Sequence, residues 1–82
     1  MNATVTRPET RRLNPSEVIA VVKRLSRYTT TGVLIDDISR DTAAAHNRPA
    51  LTANEDMELS RILTIACAYG FLARVPDGYR PA

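Results

Sequence analysis

The chain has 82 residues, enough for one domain and too few for two ordinary ones. Its hydrophobic fraction of 44% is that of a globular protein, and eleven basic against nine acidic residues leave a net charge of +2. One cysteine, Cys67, and one histidine, His46, exclude an internal disulfide and any Cys/His metal cluster, and no apolar run approaches the ~18 residues of a membrane span. Residues 1–10 lack the apolar stretch of a signal peptide, so the expectation is a small, soluble, cytoplasmic domain with a thin core.

Residues 1–13 show no hydrophobic periodicity and read as a flexible basic arm, leaving 14–82 as the folded domain. Asn14-Pro15-Ser16-Glu17 is a helix start: Asn14 can cap, Pro15 suits the first helical position, and Glu17 stands where a capping box places its acid. Val18, Val21, Val22, Leu25 and Tyr28 follow at helical spacing, with Lys23, Arg24 and Arg27 largely off that face. Thr29-Thr30-Thr31-Gly32 should end the helix, with glycine in a left-handed conformation. Val33-Leu34-Ile35 is β-prone and sufficient for one brief strand.

Asp36 is then the expected cap of a second helix running to about Ala45, with a modest apolar side of Ile38, Ala44 or Thr42, and Ala45. His46-Asn47-Arg48-Pro49 reads as a connection, because proline disfavours helix at the residue before it. Thr52-x-x-Glu55 has the capping-box pattern for a third helix, with Asn54 as a competing cap. Leu59, Ile62, Leu63, Ala66 and Tyr69 give that helix its apolar face, Ile65 and Cys67 broaden it, and Gly70 stops it. Phe71 to Val75 is strand-like, Pro76-Asp77-Gly78 is a turn, and Tyr79-Arg80 starts the returning strand.

The order helix, short strand, helix, helix, hairpin resembles the winged helix-turn-helix superfamily. The resemblance spans residues 14–80 and is best from Leu59-Ser60-Arg61-Ile62-Leu63 through Ala68-Tyr69-Gly70-Phe71-Leu72-Ala73-Arg74 to Pro76-Asp77-Gly78-Tyr79. There a helix runs through a glycine into a hairpin that turns at Pro-Asp-Gly. It implies a mainly α fold with three helices, a short strand and a C-terminal wing. It also implies that the exposed first half of the third helix enters the major groove of double-stranded DNA while the wing touches phosphate or the minor groove. Asn54, Glu55, Glu58 and Arg61 on the helix and Arg74 and Arg80 on the wing are the positions that carry over. One departure works against DNA: Glu55, Asp56 and Glu58 crowd the start of the reading helix. Acids there favour the helix but oppose a polyanion.

Charge is unevenly distributed. Residues 1–30 carry a net +4, residues 31–60 a net −4 and residues 61–82 a net +2, so a polyanion is invited at the two ends. Arg7, Arg11 and Arg12 suit a DNA-gripping arm or a solvated tail. Lys23, Arg24 and Arg27 suit a phosphate patch or the solvated face of an amphipathic helix. Asp36, Asp37 and Asp41 are too few convergent ligands for a cation, His46 has no partner motif, and Cys67 reads as a small core residue. The sequence offers no Gly-rich phosphate loop, no nucleophile elbow and no His/acid pair at useful spacing, so neither an enzyme nor a cofactor is expected.

Two functions follow as expectations. The first is a small DNA-binding regulator using Asn54, Glu58, Arg61, Arg74 and Arg80, with Arg11 and Arg12 of the arm. The second is a protein-interaction module on the same fold, an adaptor or a phage-encoded modulator of a host protein. It would offer Asp36, Asp37, Asp41, Glu55, Asp56 and Glu58 to a basic surface. A homodimer is compatible with both, since a thin core and a largely apolar third helix leave surface to cover.

Overall fold

The computed structural model describes residues 13–82, so the arm's Arg7, Arg11 and Arg12 lie outside the described residues. Three helices and a hairpin follow one another: α1 (Pro15–Leu25), α2 (Ile35–Ala45), α3 (Ala53–Ala68), β1 (Leu72–Val75) and β2 (Gly78–Pro81). The strands pair antiparallel, with Leu72 opposite Pro81 and Val75 opposite Gly78, leaving Pro76 and Asp77 as the turn. A mainly helical chain ending in a small hairpin is therefore the architecture expected.

Each helix begins where the sequence provides a reason. Asn14 has extended backbone and its side chain accepts from the Ser16 N–H at 2.9 Å, while Pro15 occupies the first helical position. Leu13 just before the cap and Val18 in the first turn are both buried, the arrangement of a hydrophobic staple. Leu13 thus belongs to the core and not to an arm. Glu17 does not close a capping box; its carboxylate lies 3.1 Å from His46 Nε2, joining the start of α1 to the end of α2. His46 accordingly has a partner that local sequence does not reveal, because Glu17 is twenty-nine positions away.

The exit of α1 departs from expectation. The helix stops at Leu25, continues as a 3-10 turn through Ser26–Tyr28, and leaves Tyr28 exposed. Gly32 does not adopt a left-handed conformation. It is needed for closeness instead: a Cβ there would lie 2.6 Å from Val75 Cγ2 and 2.7 Å from the Gly78 nitrogen. The expected strand at 33–35 shrinks to Val33, which exchanges two backbone hydrogen bonds with Tyr79 at 2.8 and 3.0 Å. Leu34 already caps α2 through its backbone, so Ile35 is helical and Asp36 sits in the first turn, not at the cap. There its charge, with that of Asp37, faces the positive end of the helix dipole.

The helices end by one device used twice. At the end of α2, Asn47 takes a positive φ of 59°, and the N–H groups of Asn47 and Arg48 return to the carbonyls of Ala44 and Ala43, each at 3.0 Å. At the end of α3, Gly70 takes φ 84°, and the N–H groups of Gly70 and Phe71 return to Cys67 and Ala66 at 3.2 and 2.9 Å. Both are Schellman motifs, with Asn or Gly at the left-handed position. Their geometry turns the chain sharply from α2 toward α3 and from α3 into the hairpin.

The core lies between these elements. Val18, Val21 and Val22 of α1, Ile38 and Thr42 of α2, Leu59 and Leu63 of α3, and Leu72 of β1 are almost completely buried. Val33, Tyr79 and Leu51 close its edges. On α2 the buried face is Ile38, Thr42 and Ala43, whereas Ala44 and Ala45 are exposed. On α3 the buried face is Glu55, Leu59, Ile62, Leu63 and Ala66. Tyr69 and Ile65, expected to extend that face, are 75% and 46% exposed; Tyr69 falls on the helix cap, where the chain has begun to turn away. No helix among the described residues is long and apolar enough to cross a membrane.

Candidate nucleic-acid interface

Construction of the surface begins at the turn between α2 and α3. The Schellman motif at Asn47 brings Arg48 back toward the start of α3, where its guanidinium donates two parallel hydrogen bonds, each 2.6 Å, to the Glu55 carboxylate. Glu55 Oε1 also accepts from the Thr52 N–H at 2.8 Å, while Thr52 Oγ1 accepts from the Glu55 N–H at 3.2 Å, completing the capping box. With only 3% of its surface exposed, Glu55 is a buried acid held by a bidentate arginine and by backbone. The Arg48 hydrogen bonds, opposed by burial and reinforced by Thr52, lower its pKa from 4.5 to about 2.

This placement removes Glu55 from both expected surfaces. It can neither face a DNA groove nor dock a basic protein. The other acids of the middle segment are also largely occupied. Asp56 accepts from the Ser39 hydroxyl of α2 at 2.7 Å, Asp37 accepts from Arg40 at 2.8 Å, and Asp41 pairs with Arg24 of α1. Glu58 is half-buried on the flank of α3, and Asp36 is exposed at the first turn of α2. Three of the six acids between residues 31 and 60, Asp37, Asp41 and Glu55, are thus paired with arginines within the fold.

What α3 presents to solvent is different in kind. Asn54, Met57, Arg61, Thr64 and Ala68 follow one another at steps of three and four, all exposed, and form the stripe opposite the core. Ser60 stands beside it, also exposed. Among these residues the only charge is that of Arg61. The crowding of acids at the start of the helix, so conspicuous along the sequence, does not occur on this face: of its members one points inward and one toward α2.

The hairpin lies alongside. Ser60 and Thr64 of α3 share a shallow groove with Arg74, Val75 and Tyr79 of the hairpin, continuous with Leu34 and Ile35 at the start of α2. Arg74 is exposed and its guanidinium lies 5.6 Å from the centre of the Tyr79 ring, a cation–π distance that leaves its N–H groups free to point outward. Tyr79 itself is buried in the hairpin, where its backbone pairs with Val33.

Arg80 behaves otherwise. Its Nη1 donates to the Thr31 carbonyl at 2.6 Å and lies 3.5 Å from that of Thr29, so it fastens the hairpin to the 29–31 loop. Asp77 completes this seam by accepting from the Gly32 N–H at 3.0 Å. The structure thus brings Asn54, Arg61 and Arg74 onto one surface and separates Arg80 and Glu55 from it. Met57, Ser60 and Thr64 were not singled out by the sequence, although the spacing of Met57 and Thr64 from Asn54 and Arg61, opposite the apolar face of the helix, is the signal that finds them.

Of the described cations, Lys23, Arg27 and Arg61 are exposed and make no ion pair with another described residue, and Cys67 is half-buried on the flank of α3. Among the described residues no cluster of three or more His, Cys, Asp or Glu side chains is placed to hold a metal ion. Comparison with protein-family models, with curated protein sequences and with solved structures gave no match.

Proposed function

We propose that this chain is a small winged helix-turn-helix protein that binds double-stranded DNA, α2 and α3 being the helix-turn-helix pair and the β1–β2 hairpin the wing. The observation that carries the reading is the outward stripe of α3, Asn54, Met57, Arg61 and Thr64, which holds one cation and no acid and runs into the groove beside Arg74. Val33 pairing with Tyr79 of β2 supports the same architecture, in which a short strand before the second helix steadies the wing.

The side chains on the stripe suit base edges. An asparagine can bond adenine N6 and N7 in a bidentate manner, and an arginine can do the same with guanine O6 and N7. Met57 would supply an apolar contact, and the Ser60 and Thr64 hydroxyls can serve base or phosphate. Arg74 on the wing, with Lys23 on α1 and Arg27 in the 3-10 turn after it, would contribute charge toward phosphate. A transcriptional regulator acting in the cytoplasm is the corresponding role. The acidic-docking alternative has less to support it, because Glu55, Asp37, Asp41 and Asp56 are already engaged within the chain.

Fluorescence anisotropy of a labelled, mixed-sequence duplex, titrated with the protein at low and moderate salt, tests the reading. Binding should weaken steeply as salt rises. Arg61→Ala and Arg74→Ala should each lower affinity and reduce the slope of log K against log salt by about one unit. Absence of binding at low salt, or unchanged binding in both variants, would reject it.

A further inference from the structure

The first turn of α3 is held from two directions. Glu55 lies on its inner side, where the Arg48 guanidinium grips both carboxylate oxygens at 2.6 Å and the Thr52 N–H adds a third bond at 2.8 Å. Asp56 follows about 100° further round the helix and accepts from the Ser39 hydroxyl of α2 at 2.7 Å. Asn54, about 100° to the other side of Glu55, is left exposed at the head of the outward stripe. Two adjacent acids thus tie the turn that carries Asn54, one to the α2–α3 connection and one to α2 itself.

We infer that Glu55, gripped by Arg48, is a positioning residue for DNA reading: it fixes the rotation of the first turn of α3 so that Asn54 meets a base edge. The role presupposes the DNA-binding reading of the stripe and names, within it, what sets the sequence preference. Glu55 is only 3% exposed, so its carboxylate acts inside the fold and touches no duplex. Pairing a planar guanidinium with a carboxylate through two bonds fixes direction as well as distance, which a single bond does not. An asparagine reads adenine through two bonds as well, and Asn54, one residue from Glu55, inherits any tilt of that turn. The far end of the stripe has other support. Arg61 and Thr64 lie almost two turns or more further on, where Leu59, Ile62 and Leu63 anchor the helix in the core.

Charge and position predict opposite outcomes for Glu55→Gln. The substitution removes a negative charge from the start of the reading helix. An acid acting by charge alone would, once removed, let every duplex bind more tightly whatever its sequence. A positioning residue gives a different pattern. Phosphate contacts, which set the affinity for any duplex, persist, while the preference for one sequence over another falls. The glutamine amide keeps the shape of the carboxylate and an acceptor for the Thr52 N–H, but it cannot match the guanidinium fork. Only the grip of Arg48 is weakened.

The test starts from a duplex that the wild-type full chain selects out of a randomised pool, compared by fluorescence anisotropy with a mixed-sequence duplex. Glu55→Gln, titrated well below its Tm and with wild-type helical circular dichroism, should cut the ratio of the two affinities about fivefold or more. Its mixed-sequence affinity and salt slope should stay close to those of the wild type. Asn54→Ala should lose a similar factor, and combining the two should lower the ratio less than about twofold further, because both act through one contact. Arg48→Lys keeps the local charge and removes the fork, so it should lose preference too. Preference retained in either folded variant, or uniform tightening on both duplexes in Glu55→Gln, overturns the positioning role and leaves the DNA-binding reading in place. So does a pool that yields no preferred sequence although the wild type binds duplex. Absence of wild-type binding to any duplex at low salt overturns both together.

Discussion

Thr42 lies in the middle of α2 with its hydroxyl buried and no hydrogen-bond partner among the described residues. A buried hydroxyl left unpaired costs free energy that an isosteric methyl does not, so Thr42→Val should stabilise the fold by about 1 kcal/mol. In a chain of this size that raises Tm by roughly 5 °C, measurable by thermal circular dichroism. Gly78 runs the other way. Its φ of 146° and the closeness of Val33's carbonyl leave no room for a Cβ, so Gly78→Ala should lower Tm well beyond what a surface glycine would. The sequence marks Gly78 as a turn residue, but the reason it must be glycine lies forty-five positions away at Val33, and no local pattern shows that. Thr42 is half legible: spacing from Ile38 puts it on the inner face, while its lack of a partner is a property of packing.

At the scale of elements, the α2–α3 connection depends on one ion pair. Glu55 is ionised in the fold down to about pH 2, against 4.5 for an ordinary glutamate. A depressed acid contributes stability above its unfolded pKa and loses it as pH falls toward its folded one. Tm should therefore decline between pH 4.5 and about pH 2, and Glu55→Gln should lower Tm at neutral pH and flatten that decline. Thr52→Ala, which removes the cap and the smaller part of what holds Glu55 ionised, should cost about 1 kcal/mol and keep most of the acid dependence, since Arg48 supplies the larger part. The capping box itself is plain in Thr52-x-x-Glu55. Its burial is not, because a glutamate at that position ordinarily faces water, and only the turn at Asn47 brings Arg48 over it. The same limit applies at the end of α3. Three- and four-residue steps carry the apolar face correctly through Leu59, Ile62, Leu63 and Ala66. They fail at Tyr69, where the helix has ended and periodicity no longer describes direction.

Across the whole molecule, the division of charge along the sequence is not the division of charge on the surface. Arg24, Arg40 and Arg48 neutralise Asp41, Asp37 and Glu55, which connects α1 to α2, braces α2 internally and joins α2 to α3. Half of the acids in the middle of the chain therefore serve the framework, while Lys23, Arg27, Arg61 and Arg74 stay exposed without an ion pair to another described residue. Arginines of the hairpin divide accordingly. Arg80 spends its guanidinium on the carbonyls of Thr31 and Thr29, so Arg80→Ala should lower Tm by freeing the 29–31 loop from the hairpin. Well below that lowered Tm, its duplex affinity and salt slope should stay close to those of the wild type. Arg74 touches only the face of Tyr79, so Arg74→Ala should leave Tm almost unchanged while weakening duplex binding and reducing the salt slope. Thermal melts and anisotropy titrations on the two variants measure both quantities in the same preparations. A loss of salt slope in Arg80→Ala that matches the loss in Arg74→Ala would show that the carbonyl contacts do not withhold Arg80 from the phosphates. The division between framework and contact arginines would then be rejected.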